Sequence, residues 1–140
     1  MMSKTAVHAV KAVVALAEVP REEFEGTASL AERTGAPQNY LGKLLQTLAR
    51  AGVLQSQKGL GGGFQLARPP DAITLYDIVE PIDHVSRWSG CLMRQATCSE
   101  ERPCALHEGW AKVRGAYLSM LQTSTVADIL ARNRELEVGA

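Results

Sequence analysis

Residues 91–107, CLMRQATCSEERPCALH, hold all three cysteines of the chain and one of its three histidines. Their spacing is C-x6-C-x5-C-x2-H. Thiolates and imidazole together suit zinc and iron. Structural zinc sites favour tighter knuckles of two to four intervening residues. Iron–sulfur clusters take thiolates from longer loops, and histidine can replace cysteine there. Cys91, Cys98, Cys104 and His107 are the candidate ligands, with His84 a weaker one. Pro103 reads as a helix start, which places Cys104 in a first turn where the helix dipole favours thiolate. Cys104 and His107 then share a helix face. An odd number of cysteines fits a closed disulfide framework poorly.

The 140 residues suggest one domain with room for an appended helix. No apolar run reaches membrane-spanning length, since His8 and Lys11 interrupt the longest, AVHAVKAVVALA. That stretch lacks a signal-peptide cleavage site, so the expected compartment is the cytoplasm and no membrane partner is expected. No nucleophile–base pair or carboxylate dyad stands out, so an enzyme is not expected. Net charge is zero, but its distribution is uneven. Between Arg33 and Arg68 lie five basic residues and no acid; between Asp71 and Glu108, seven acids face three arginines. The first segment can meet a polyanion while the rest stays acidic.

The elements that must carry these residues are mainly helical. Residues 4–18 read as a helix with Val7, Val10, Val14 and Ala17 on one face, ended by Pro20. REEFEG (21–26) reads as a polar connection. Ser29 and Glu32 have the spacing of a capping box. Gly35 ends that short helix, and Pro37 opens another with Leu41, Leu44, Leu45 and Leu48 on one face. This is the pattern of a helix-turn-helix. VLQSQKGLGGGFQLAR (53–68) follows and reads as a β-hairpin with a glycine tip. A dinucleotide fingerprint would need a helix after the glycines, and proline follows instead. A hairpin after a helix-turn-helix is the wing of a winged helix. Gly59 and Gly61 at its tip allow a sharp turn and let backbone amides approach phosphate.

Thr74 can cap a helix bearing Leu75, Ile78, Val79 and Ile82. From Pro103 to about Gln122 a long helix is expected, with Leu106, Trp110, Val113, Tyr117 and Met120 at coiled-coil spacing. Such a seam suits a homodimer. A short last helix from 123 and a frayed tail complete the chain. The expected organisation is a DNA-binding domain at 1–83, a metal-binding loop at 84–104, and a dimerisation helix with tail at 105–140. With the leucines inward, Gln38, Asn39, Tyr40, Lys43, Gln46 and Arg50 face outward on the second helix of the pair. Amides can bond adenine edges and lysine can reach guanine or phosphate. Gly42 sits among them at a cost in helix propensity.

The run YLGKLLQTLARAGVLQSQKGLGGGFQLARPPDAITLYDI resembles the recognition helix, wing and following helix of the IscR/NsrR-type (Rrf-two superfamily) regulators, and the resemblance extends from SKTAVHAV to TVADIL. It implies a homodimeric winged-helix transcription regulator that binds a double-stranded DNA operator. It also implies an iron–sulfur cluster in the loop before the long helix, sensing cluster status, redox or nitric oxide. Lys58 matches the family's wing arginine, without the bidentate fork. CALHEGW resembles the Cys-x-x-His segment of IscR-like members, which favours His107 and a two-iron two-sulfur (2Fe-2S) cluster over the four-iron (4Fe-4S) form. Two departures stand out. The first loop has six residues where the family has five, and Val7 occupies the position of the NsrR-like acidic ligand. His8, one place on, matches a packed aromatic of the family. The competing readings are a metal-independent or zinc-binding regulator of the same fold, and an iron–sulfur redox or carrier protein.

Overall fold

The computed structural model describes residues 1–88, 91–93 and 98–139. Residues 89–90 and 94–97 of the expected metal-binding loop lie outside the described residues. The order is α1 (Lys4–Ala17), α2 (Thr27–Thr34), α3 (Gln38–Arg50), β1 (Leu54–Gln57), β2 (Gly63–Leu66), α4 (Leu75–Asp83), α5 (His107–Thr123) and α6 (Val126–Gly139). The expected class, mainly α with a small β-hairpin wing, is the one observed.

Ser3 caps α1 by accepting from the Ala6 amide, and the Ser3 side chain is itself held by Asp83 at the end of α4. The buried face of α1 is rotated from the valine stripe. Ala6, Ala9, Ala12 and Val13 are fully covered, whereas Val7 is 37% exposed. Small alanines let α2, α3 and α4 pack closely, and that outweighs the larger area of valine. The main core gathers this face with Leu30, Leu41, Leu45, Leu48, Phe64 and Ile78. Each buried leucine contributes about 1.5–3 kcal/mol.

The capping box expected at Ser29 does not form. The helix begins at Thr27, and the Ser29 hydroxyl donates to Glu25 Oε2 at 2.7 Å. The cause lies in REEFEG, which is not a simple connection. Glu25 donates to and accepts from Phe64 through backbone bonds of 2.9 Å each, making a third, one-residue strand beside β2. β1 and β2 pair antiparallel with Leu54 opposite Leu66 and Gln57 opposite Gly63. The hairpin is thus held near its turn, at the Ser56–Phe64 pair.

Thr74 caps α4 as expected, and Asp77 completes a reciprocal capping box with it. A second box, Thr125 with Asp128, opens α6. The two helix starts are joined by Leu75 N–H to Ser124 O and Val126 N–H to Ile73 O, both 2.9 Å. α6 is longer than the short helix expected and packs on α1, with Val126 in the main core and Ile129 against it.

A smaller core joins α5 to α4: Leu75, Val79, Val85, Tyr117 and Leu121 are buried around Ala6. Tyr117 therefore leaves the expected seam. Its ring stacks on Trp88, with centroids 5.5 Å apart and planes 13° apart. Its hydroxyl is buried, and among the described residues it has no hydrogen-bond partner. Burial also pushes the Tyr117 phenol above its ordinary range. Tyr117→Phe removes an unsatisfied polar atom and keeps the stack, so the melting temperature should stay the same or rise. Thermal denaturation of the two proteins checks this.

Candidate nucleic-acid interface and metal centre

α3 presents its polar side to an open groove of about 720 Å³. Gln38, Asn39, Lys43, Gln46 and Arg50 line it, joined by Thr47, Gly42 and Thr27 at the start of α2. Thr27 and Thr47 escaped sequence reasoning. The misplaced start of α2 hid the first, and the second is a neutral residue beside the leucine stripe. Among the described residues, no carboxylate lines the groove. Tyr40 turns elsewhere: its ring meets His8 of α1 edge-on, with centroids 5.8 Å apart. His8 is packed in this contact, its Nδ1 buried.

The wing tip stands clear of the body, with residues 58–61 exposed. Gly59 and Gly61 adopt positive φ of 91° and 76°, the left-handed region that glycine enters without strain. Lys58 opens this turn.

Of the five basic residues in the acid-free segment, the fold commits two. Arg33 pairs with Glu25 and with Glu18 (2.9 Å) and donates to Ala15 O at 3.0 Å. The Glu25 hydrogen bond raises the Arg33 pKa above its usual value. Arg68 lies 3.5 Å from Asp77 and donates to Ala72 O. Among the described residues, Lys43, Arg50 and Lys58 have no carboxylate within ion-pair distance, so their charge is available to a polyanion. Sequence separation concealed this difference, because the acids that neutralise Arg33 and Arg68 lie outside the segment.

The three thiols converge. Their sulfurs all lie within 4.8 Å of one another. Cys91 Sγ is 3.6 Å from Cys104 Sγ, and Cys98 Sγ is 3.5 Å from His107 Nδ1. The Cys104 amide also donates to Cys98 Sγ at 3.5 Å. That bond favours the Cys98 thiolate, but desolvation and the neighbouring thiols of Cys104 and Cys91 outweigh it, and its pKa is raised. No disulfide joins the three.

α5 begins at His107, not at Pro103. Residues 104–106 form a turn in which the His107 amide donates to Cys104 O at 3.1 Å. Cys104 therefore precedes the helix, and it shares no helix face with His107. Cys104 meets Cys91 and His107 meets Cys98. His84 is left-handed and exposed at the end of α4, where its amide caps Glu80 O, and it takes no place in the thiol group. Aromatic rings connect the centre to the small core. Trp88 packs between Tyr117 and Trp110, the latter at 6.3 Å, and its carbonyl accepts from Arg114 at 3.0 Å.

A helix-turn-helix, a docked two-stranded wing and an acid-free recognition face define a winged-helix DNA-binding protein. Comparison with known proteins gives the family. Residues 2–132 match the Rrf2 model, described as an iron-dependent transcriptional regulator, and the chain belongs to this family. An Aquifex aeolicus protein named as an HTH-type transcriptional regulator is 30% identical over 132 residues, covering 93% of this chain and 91% of its own. Among solved structures, T. potens IscR superposes with a TM-score of 0.76 at 29% identity, covering 97% of this chain and 90% of that one. CymR, described as the global cysteine regulator of B. subtilis, gives 0.78 at 26% identity, covering 94% and 97%. The protein is accordingly a DNA-binding transcriptional regulator and not an enzyme. No described helix is long and apolar enough to cross a membrane.

Proposed function

We propose that this protein is a cytoplasmic homodimer that binds a DNA operator sequence-specifically, under the control of an iron–sulfur cluster held by Cys91, Cys98, Cys104 and His107. The observation that carries the cluster is the pairing of donors. Two ligands on one tetrahedral metal stand about 3.5–3.8 Å apart when metal–sulfur bonds are about 2.3 Å. Cys91 with Cys104, and Cys98 with His107, both show such separations. Two pairs suit the two irons of a 2Fe-2S cluster, with histidine replacing one thiolate. Bound there, the cluster would supply a centre sensitive to oxidants and nitric oxide.

The chain's own part in the response is mechanical. The four donors come from the loop after Trp88 and from the start of α5, so holding them together fixes α5 against the Trp88–Tyr117 stack. Releasing them loosens that link. The balance between DNA-competent and incompetent dimers then shifts. The dimer rests on Leu106, just before α5, and on Val113 and Met120 along it, which stay 43–50% exposed.

A second reading places one zinc ion on the same thiols, and their mutual approach within 4.8 Å favours it. Anaerobic purification with visible spectroscopy and counts of iron, sulfide and zinc decides between them. Two irons and two sulfides per chain are expected. One zinc and no sulfide would establish the second reading, and operator binding by metal-free protein at full strength would sink both.

Lys43 and Lys58 carry the proposed phosphate contacts. Replacing either by alanine should lower the slope of log affinity against log salt by about one contact. Titrations at several salt concentrations measure this.

A further inference from the structure

Gly42 has no reason within this chain to be glycine. It lies inside α3, four residues from the start, and it is not among the glycines at positive φ. Among the described residues outside its own helix turn, a methyl group built there meets only Thr27 Cγ2, at an ordinary contact distance of 3.7 Å. Neither backbone conformation nor packing would be disturbed by alanine. Glycine is nonetheless among the poorest residues for a helix interior, so it weakens α3. The site is specific in another way: Gly42 opens onto the groove of α3. Gln38 and Asn39 lie one turn before it on the same face, and Gln46 lies one turn after it. A side chain at 42 would stand in the middle of that row of amides.

We propose that Gly42 is a specificity-determining residue, a bare patch of backbone where a base-pair edge in the major groove approaches α3 more closely than any side chain allows. The missing Cβ lets the helix sink, which brings Gln38, Asn39 and Gln46 within reach of the flanking bases. Direct readout depends on such reach, because amide–adenine pairs need short, planar hydrogen bonds. The inference rests on α3 being the helix that enters the groove, the reading given by the fold.

Gly42→Ala and Gly42→Gln test it, with two kinds of DNA: a duplex that the wild-type protein selects from a random pool, and a non-specific duplex of equal length. Thermal denaturation runs alongside. Gly42→Ala should raise the melting temperature by about 2–6 °C, yet bind the selected duplex about tenfold more weakly. Affinity for non-specific DNA should change less than twofold in both variants. Gly42→Gln should, in a fresh selection, prefer a different base at one position of each half-site. Three results would overturn the proposal: a lower melting temperature for Gly42→Ala, which assigns the glycine to packing; equal losses on both duplexes; or an unchanged selected sequence with affinity within twofold. If the wild type selects no sequence at all, the recognition-helix reading fails, a result separate from a neutral Gly42 variant.

Discussion

Alanine at Cys91, Cys98 or Cys104 is expected to give a protein that stays colourless after anaerobic reconstitution and retains less than about a tenth of the wild-type iron and sulfide. Each thiol is close to the other two, so no one of them is a peripheral donor. Removing the Cys104 thiol strips Cys91 of its partner at 3.6 Å and leaves only the backbone amide of residue 104 beside Cys98. Removing Cys98 leaves His107 without its neighbour at 3.5 Å. Ligand-set changes of this kind typically act on both metal affinity and the surrounding loop, because a site poor in apolar contacts is ordered by its metal. His107→Ala should behave differently. Three thiolates remain, so colour should persist with an altered spectrum and a shorter lifetime in air. Full colour and unchanged lifetime in the His107 variant would assign the fourth position to another group. Helical circular dichroism of each variant should match the wild type, since the main core contains none of these residues.

The second large effect concerns Gly63. Its φ is +136°, and a Cβ there would lie 2.2 Å from the carbonyl oxygen of Glu25 and 2.5 Å from the carbon. The obstacle is backbone, so no side-chain rotation relieves it. Gly63→Ala must separate β2 from residue 25 and strain or break the two Glu25–Phe64 hydrogen bonds. Phe64, 5% exposed at present, would be drawn from the core. A loss of about 2–4 kcal/mol is expected, measured by urea denaturation. Operator affinity should fall as well, because Lys58 rides on the displaced hairpin. Gly59→Ala offers the contrast. Among the described residues, no atom beyond its chain neighbours lies within 4 Å of its added Cβ, and its φ of 91° is the strained feature, so its cost should be about 1 kcal/mol.

Arg33 shows why charge patterns alone mislead about the DNA face. In the sequence it belongs to a run of five cations without an acid. In the fold it is the clamp between Glu18 at the end of α1 and Glu25, the residue bridged to β2 of the wing. It helps to position the wing and is not available to phosphate.

Elements whose signals are local could be read from the order of residues alone. The leucine face of α3, the glycine hairpin after it, the Thr74 cap of α4 and the cluster of three thiols with a histidine are all readable from spacing, because each depends on neighbours within a few residues. The order of these elements also pointed to a winged helix, which the fold bears out, and the family resemblance agreed with it. Only tertiary structure decided what depends on distant partners. Glu25 became a strand residue because Phe64, far along the chain, offered it a donor and an acceptor. That contact moved the start of α2 to Thr27. Tyr117 left the expected seam because Trp88 stacks on it, leaving Leu106, Val113 and Met120 exposed. Cys104 joined Cys91, and Cys98 joined His107, because a turn at 104–106 delayed α5. Spacing names the possible ligands, but the path of the backbone between them sets which donors meet.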